Sequence, residues 1–225
     1  MSAQRLVVVR HGVTEWNREG RWQGRLDPPL SADGRREAEL VAARLAADDE
    51  LRPARIISST LSRASQTAEA IGRAVGVSVE PDARLVEIGA GEWEGHTHEE
   101  LERIDGDRYR AWRTAETEVR PPGGEPIADA IARIRELTVD LGRPSGSWPV
   151  ALVSHGGILR ILANVLFELP GTWMWSLDVD NASISAASRH EAGGAWRLDR
   201  WNDTRHLLGV EATHVDEAEG RPLAL

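Results

Sequence analysis

The chain has 225 residues, 41% hydrophobic and 28% charged, which suits one globular unit and excludes a disordered tail or a fibre. It has no cysteine, which excludes disulfides, thiolate metal sites and cysteine nucleophiles, and no lysine, which excludes Schiff-base chemistry; all 27 basic residues are arginine. A formal net charge of -9 argues against a nucleic-acid surface.

Leu6 to Val9 is a continuous β-branched run, the pattern of a strand buried on both faces, and it ends at Arg10-His11-Gly12. Ser31 is an N-cap ahead of Ala38, Val41, Leu45 and Ala46 at helical spacing, which predicts a helix ending near Asp49. Ile56-Ile57 predicts a second strand. Ser62 caps a helix carrying Ala64, Thr67, Ala68 and Ile71, which Gly76 stops in a left-handed conformation. Val77 to Val79 reads as a third strand. Thr97-His98-Glu99-Glu100 has capping-box spacing ahead of Leu101 and Ile104, and an amphipathic helix spans Pro126 to Leu141. Val150 to Val153 is a fourth strand leading into Ser154-His155-Gly156-Gly157, followed by an apolar buried helix over Ile158 to Phe167. Ala182 to Ala187 and Ala195 to Trp201 read as the last two strands.

This alternation predicts an α/β fold, a three-layer α/β/α sandwich around a mostly parallel sheet of about six strands. No linker or shift in composition divides residues 1–225, so a single domain is expected, with an acidic extension over about 209–225. No run approaches the ~20 apolar residues of a membrane helix. The start, Met-Ser-Ala-Gln-Arg before Leu6, lacks the apolar region of a signal peptide, so a cytoplasmic protein without membrane or nucleic-acid partners is expected. A homodimer is a mild expectation.

Sites in such sheets collect beyond the carboxyl ends of the parallel strands, where helix N-termini point. His11 and His155 each follow a β-rich run and precede glycine, so each strand end can present an imidazole and backbone N–H groups together. Around them stand Arg10 to Asn17, then Gln23-Gly24-Arg25-Leu26-Asp27 and Leu30 to Gly34. Further on come Ser58 to Ala68 with Arg63 in it, Leu85-Val86-Glu87-Ile88-Gly89, Trp93-Glu94-Gly95, Pro122-Gly123-Gly124-Glu125 and Val153 to Gly157. In residue types and order, these blocks resemble the histidine phosphatase superfamily, also called phosphoglycerate mutase-like, over about residues 5 to 207.

An imidazole nitrogen attacks phosphorus at neutral pH without a metal, because a useful fraction is unprotonated. The transferring phosphoryl group carries charge on three equatorial oxygens, which planar arginine forks can neutralise. The resemblance implies that His11 becomes phosphorylated, that Arg10, Arg63 and His155 form the phosphate pocket, and that Asn17, Gln23, Gly24 and Gly156 lie around it. An alkoxide is a poor leaving group, so a proton donor belongs opposite the nucleophile. Glu87 matches the family's acid position, flanked by Leu85 and Ile88 in an anchored turn; Glu92 and Asp82 are its alternatives. No cofactor and no metal are implied, and the partner is a small phosphate ester.

The remaining candidates carry less. His96 and His98 lack a third ligand at a recognisable spacing, and His190, His206 and His214 read as surface residues. Glu99 to Arg120 holds five arginines against seven carboxylates, the balance of a solvated helical surface rather than a basic lid. Within the family, the segment of about 92–125 shapes substrate access, so Arg110, Trp112 or Arg113 could reach the pocket. Nine tryptophans, among them Trp93, Trp112, Trp173, Trp175, Trp196 and Trp201, divide between core and rim.

A small phosphomonoester, either a sugar phosphate or a phosphoglycerate derivative, is the expected substrate. The alternatives are a phosphoglycerate mutase and a non-catalytic phospho-ligand sensor. Mutases of the family carry Glu-Arg-x-Tyr-Gly after the acid, whereas here Glu87 precedes Ile88-Gly89-Ala90-Gly91. Among phosphatases, the ending Trp196 to Asn202 is most similar to the glucosyl-3-phosphoglycerate group.

Overall fold

In chain order the elements are β1 (Gln4–Arg10), α1 (Glu15–Arg18), α2 (Ala32–Ala46), β2 (Arg55–Ser58), α3 (Ser62–Val75) and β3 (Val79–Pro81). They continue with α4 (His98–Arg113), α5 (Ile127–Leu141), β4 (Val150–Ser154), α6 (Gly156–Phe167), β5 (Ile184–Arg189) and β6 (Arg197–Asp203). These come from a computed structural model that describes residues 4–113, 119–142, 147–170, 175–190 and 194–208. The strands form one sheet in the order β3-β2-β4-β1-β5-β6. β1, β2, β3 and β4 run parallel, while β5 is antiparallel to both its neighbours.

Alternation at period two decides the layers. Val7 and Val9 of β1 join Ile56, Ala151, Val153, Ile184 and Ala186 in packing against Ala38, Val41 and Leu45 of α2 and Ala64, Ala68 and Ile71 of α3. Leu6 and Val8 point the other way, with Ile57, Val150 and Leu152, onto Ile127, Ala130, Ile134 and Leu137 of α5 and Ile158, Leu159, Ile161 and Leu162 of α6. Both faces of the central strands are therefore dry, which explains why they read as unbroken apolar runs. The observed architecture is the expected three-layer sandwich. A third apolar cluster, Ala90, Trp93, Leu101, Tyr109 and Trp112, lies under α4 with Trp22 and Trp175 against it. Among the described residues, no helix is long and apolar enough to cross a membrane.

The start of α2 is set by two glycines. A β-carbon at Gly12 would stand 2.4 Å from the Gly34 carbonyl oxygen, and one at Gly34 would stand 2.0 Å from the Val13 carbonyl oxygen. Only hydrogen fits at that crossing. Ser31 caps α2, its hydroxyl accepting from the Gly34 N–H at 3.0 Å while donating to the Val13 carbonyl at 3.0 Å.

Several expected boundaries move. Ser62 is the first residue of α3 rather than its cap; Leu61 occupies the N-cap without a side-chain bond, and the Asp27 carboxylate accepts from both the Ser62 N–H and hydroxyl at 2.7 Å. The cap thus comes from a residue distant in sequence. Gly76 ends α3 with φ +77, as its position implied. The third strand lies at Val79–Pro81, not at 77–79, because Gly76 and Val77 complete the turn onto Gly72. The fifth strand begins at Ile184, since Ala182 turns with φ +56, and the sixth spans Arg197–Asp203. Thr97 and Glu100 form the predicted capping box, but α4 bends at Asp105, whose carboxylate accepts from the Trp93 indole at 3.0 Å. His206 is half-buried, its Nε2 3.0 Å from the Ala182 carbonyl, rather than a surface residue. His214, Trp173 and the acidic extension lie outside the described residues.

Candidate active site

The parallel register pairs Arg10 of β1 with Ser154 of β4, so the next residue of each strand, His11 and His155, leaves the sheet side by side. Their ring centroids are 5.1 Å apart, and both are almost fully buried. The His11 backbone is held on both sides: its N–H donates to the Ser154 carbonyl at 3.0 Å, and its carbonyl accepts from Ala182 N–H at 3.1 Å. His11 Nδ1 lies 2.7 Å from the Gly12 carbonyl. A carbonyl can only accept, so Nδ1 carries the proton and Nε2 keeps its lone pair. Burial first, then the charges of Arg63 and Arg10, hold the His11 pKa well below 6.5, so the ring is neutral at neutral pH.

His155 is depressed for the same reasons, led by burial and Arg63. Its Nε2 lies 2.8 Å from Ser59 Oγ, and its buried Nδ1 has no hydrogen-bond partner among the described residues. Arg63, in the first turn of α3, is 1% exposed; its two terminal nitrogens donate to the Leu26 and Gly24 carbonyls at 2.8 Å. Its buried Nε likewise lacks a partner among the described residues. Burial brings the Arg63 pKa down to about 10, still far above neutrality, so the cation persists in a nearly dry site. Arg10 is buried and donates to the Val179 carbonyl at 2.5 Å. Two arginines and two neutral imidazoles thus converge at the sheet's carboxyl end, an arrangement that favours an anion.

Glu87 follows a short helical turn over Ala83–Leu85. Its Oε1 accepts from the Ile88 N–H at 2.8 Å and its Oε2 from the Gly157 N–H at 3.1 Å, the second a free donor of α6's first turn. A β-carbon at Gly157 would stand 2.7 Å from Glu87 Oε1. The second glycine of the His155-Gly156-Gly157 run therefore makes room for this carboxylate. Glu125 fixes the same turn from behind: its carboxylate pairs with Arg133 through two contacts of 3.0 Å and with Arg25 at 3.0 Å, and accepts from the Gly89 N–H at 3.3 Å. Asp82 is tied instead to Arg84, and Glu92 is exposed.

Of the remaining sequence candidates, Gly156 lies against the Arg10 guanidinium, 3.5 Å from Arg10 Cζ to where its β-carbon would be. Gln23 is buried, with an Oε1 that has no partner among the described residues. Gly24 has φ +49, and a β-carbon there would strike the Glu94 carboxylate. Asn17 Oδ1 accepts from Thr14 at the start of α1. Trp112 and Tyr109 are buried residues of α4, with Arg113 over the Tyr109 ring, and Arg110 pairs with Glu102 and Asp107. His98 is engaged by Trp22 and Tyr109.

Sequence reasoning missed Asn181, whose Nδ2 donates to the His11 carbonyl at 3.0 Å and lies 3.4 Å from Asn17 Oδ1. It also passed over Ser59 beside His155, and Thr67, whose hydroxyl accepts from the Gly12 N–H at 3.1 Å and donates to the Arg63 carbonyl at 2.8 Å. Asn181 sits in a loop with no motif, and only the fold brings it 170 positions back to His11.

The model of the histidine phosphatase superfamily (branch 1) matches residues 6–204. The chain belongs to that superfamily. The chain is 38% identical over 217 residues to glucosyl-3-phosphoglycerate phosphatase from Mycobacterium tuberculosis, covering 90% of this chain and 96% of that protein. It is 34% identical over 218 residues to a protein named probable phosphoglycerate mutase from Escherichia fergusonii, covering 95% and 98%. A mycobacterial glucosyl-3-phosphoglycerate phosphatase solved in complex with VO3 superposes with a TM-score of 0.82 at 37% identity, over 90% of this chain and all of the other.

Proposed function

We propose that the phosphatase hydrolyses a phosphorylated glycerate bearing a sugar, or a close relative of one, through a phosphohistidine on His11. The observation that carries this reading is the His11 Nδ1 bond to the Gly12 carbonyl in a buried, neutral ring, which leaves Nε2 as the nucleophile. In the first step His11 Nε2 bonds to phosphorus, the ester P–O bond breaks, and the departing oxygen takes a proton from Glu87. In the second, water gives a proton to the Glu87 carboxylate and attacks phosphorus, releasing inorganic phosphate and restoring the imidazole. Arg10 and Arg63 neutralise the equatorial oxygens throughout, and His155 adds a donor once the anion beside it favours its protonated form. The similarity to glucosyl-3-phosphoglycerate phosphatases over nearly the whole chain supports the substrate class.

The test is phosphate release in excess EDTA from an aryl phosphate, 3-phosphoglycerate, glucosyl-3-phosphoglycerate, α-ribazole phosphate and several sugar phosphates, with His11→Ala as control. EDTA-resistant release that the substitution abolishes, with glucosyl-3-phosphoglycerate preferred, is expected. Isomerisation of 3-phosphoglycerate without phosphate release would replace the hydrolase with a mutase, and a preferred substrate lacking glycerate would overturn the substrate class.

A further inference from the structure

Arg160 has no part in the steps above, yet it lies at their edge. It is the fifth residue of α6, one turn after Gly156 and on the same helix face. The position a β-carbon would take at Gly156 is 3.3 Å from Arg160 Nη1 and 3.5 Å from Arg10 Cζ. The two guanidinium groups therefore flank one glycine, and Arg10 is the residue next to His11 in the chain.

The side chain is held in place. Its Nε donates to the Leu177 carbonyl at 2.8 Å, and its guanidinium carbon lies 5.8 Å from the centre of the Trp175 ring. Trp175 in turn packs on Trp112 at 4.4 Å. An arginine braced by a backbone carbonyl and an indole loses little side-chain freedom when it binds an anion, and its planar terminal edge matches a carboxylate.

Charge points the same way. Arg10 and Arg63 are matched by the two charges of a phosphomonoester, so a further negative group on the leaving group needs a donor of its own. Arg160 stands next in line, one helical turn beyond Gly156.

Resting on the phosphatase reading, we infer that Arg160, braced by Trp175, is a specificity residue that binds a carboxylate on the leaving group, two or three carbons from the ester oxygen. The enzyme is thereby selective for phosphorylated hydroxy acids over phosphorylated polyols of the same skeleton.

3-Phosphoglycerate and glycerol 3-phosphate isolate this group, since they differ in the carboxylate alone. For the wild-type enzyme, kcat/KM for the acid exceeds that for the polyol by tenfold or more, and 3-phosphoglycerate competes more strongly than glycerol 3-phosphate against turnover of an aryl phosphate. Arg160→Met, which keeps the apolar stem beside Trp175, lowers kcat/KM for the acid at least tenfold more than for the polyol, a charge-assisted bond to a carboxylate being worth roughly 10- to 100-fold. Arg160→Lys restores part of the ratio. Loosening of the Leu177 loop alone would lower both substrates together, and that result, or a wild-type ratio near one in both turnover and competition, would overturn the inference while leaving the phosphatase reading intact. Absence of turnover on every ester, the aryl phosphate included, would sink that reading first.

Discussion

Replacing Gly157 by alanine tests the proposed role of Glu87 as proton donor apart from the other proposed site residues. The new β-carbon would stand 2.7 Å from Glu87 Oε1 and 2.8 Å from Ile88 Cδ1. To reach ordinary contact, the carboxylate must retreat by about 0.7 Å, which also strains its 3.1 Å bond from the Gly157 N–H. Both crowded atoms end flexible side chains, so the fold yields cheaply. Alanine in a helix gains roughly 0.5–1 kcal/mol over glycine, and the melting temperature should stay within about 2 °C of wild type. Catalysis has no such slack. A positioned general acid contributes roughly 100- to 10,000-fold, and misplacement by about 1 Å costs on the order of 100-fold. The assay compares kcat/KM on an alkyl phosphate, whose leaving oxygen needs a proton, with p-nitrophenyl phosphate, whose leaving group does not. The alkyl ester should lose about 100-fold and the aryl ester only a few-fold. Equal losses on both, with the melting temperature preserved, would refute the idea that Gly157 acts through Glu87 as proton donor.

Two further outcomes follow from burial. His11 and His155 have native pKa values well below 6.5, so below about pH 6.5 the unfolded chain binds protons that the native state does not. Stability is therefore fully present above that pH and falls as pH drops, by up to ~1.4 kcal/mol per pH unit for each ring. His206, lowered by its burial, adds to the slope. Carboxylates held low by arginine, such as Glu80 by Arg55 and Asp82 by Arg84, lose their contribution only nearer pH 4 and below, so urea unfolding between pH 7.5 and 5.5 isolates the histidines. A flat profile across that window, or a native His11 titrating near 6.5 by NMR, would contradict the buried neutral pair. Gly34→Ala would drive a β-carbon to 2.0 Å from the Val13 backbone oxygen, where no side chain can move aside. A loss of about 3 kcal/mol, read as a melting temperature lower by roughly 6–12 °C, is expected, and an unchanged melting temperature would mean that the crossing is looser than described.

Most of the fold was legible because its causes are local or periodic. Unbroken apolar runs identified the doubly covered strands, Ser31 and Gly76 marked a helix start and a helix stop, and the Thr97–Glu100 box marked a third boundary. Boundaries failed where a distant group intervened, as when Asp27 took over the capping of α3 from Ser62. The motif residues around His11 were readable for a different reason: the ordered blocks from Arg10 to Gly157 resemble the superfamily, and that resemblance, not any one residue's surroundings, implied the roles of His11, Arg63, Glu87 and His155.

By itself, then, the amino-acid order determined the layered α/β class, the family and the chemical types present at the site. Only the tertiary structure decided their arrangement, because no local pattern encodes contacts between strands far apart in the chain. The pairing of Arg10 with Ser154 sets His11 against His155, and the carbonyl of Gly12 selects the tautomer of His11. The loop before β5 returns Asn181 to the His11 backbone, and the first turns of α6 hold Gly157 under Glu87 and Arg160 beside Gly156. Each of these depends on how the sheet and helices close around one another, so each becomes visible only when the chain is folded.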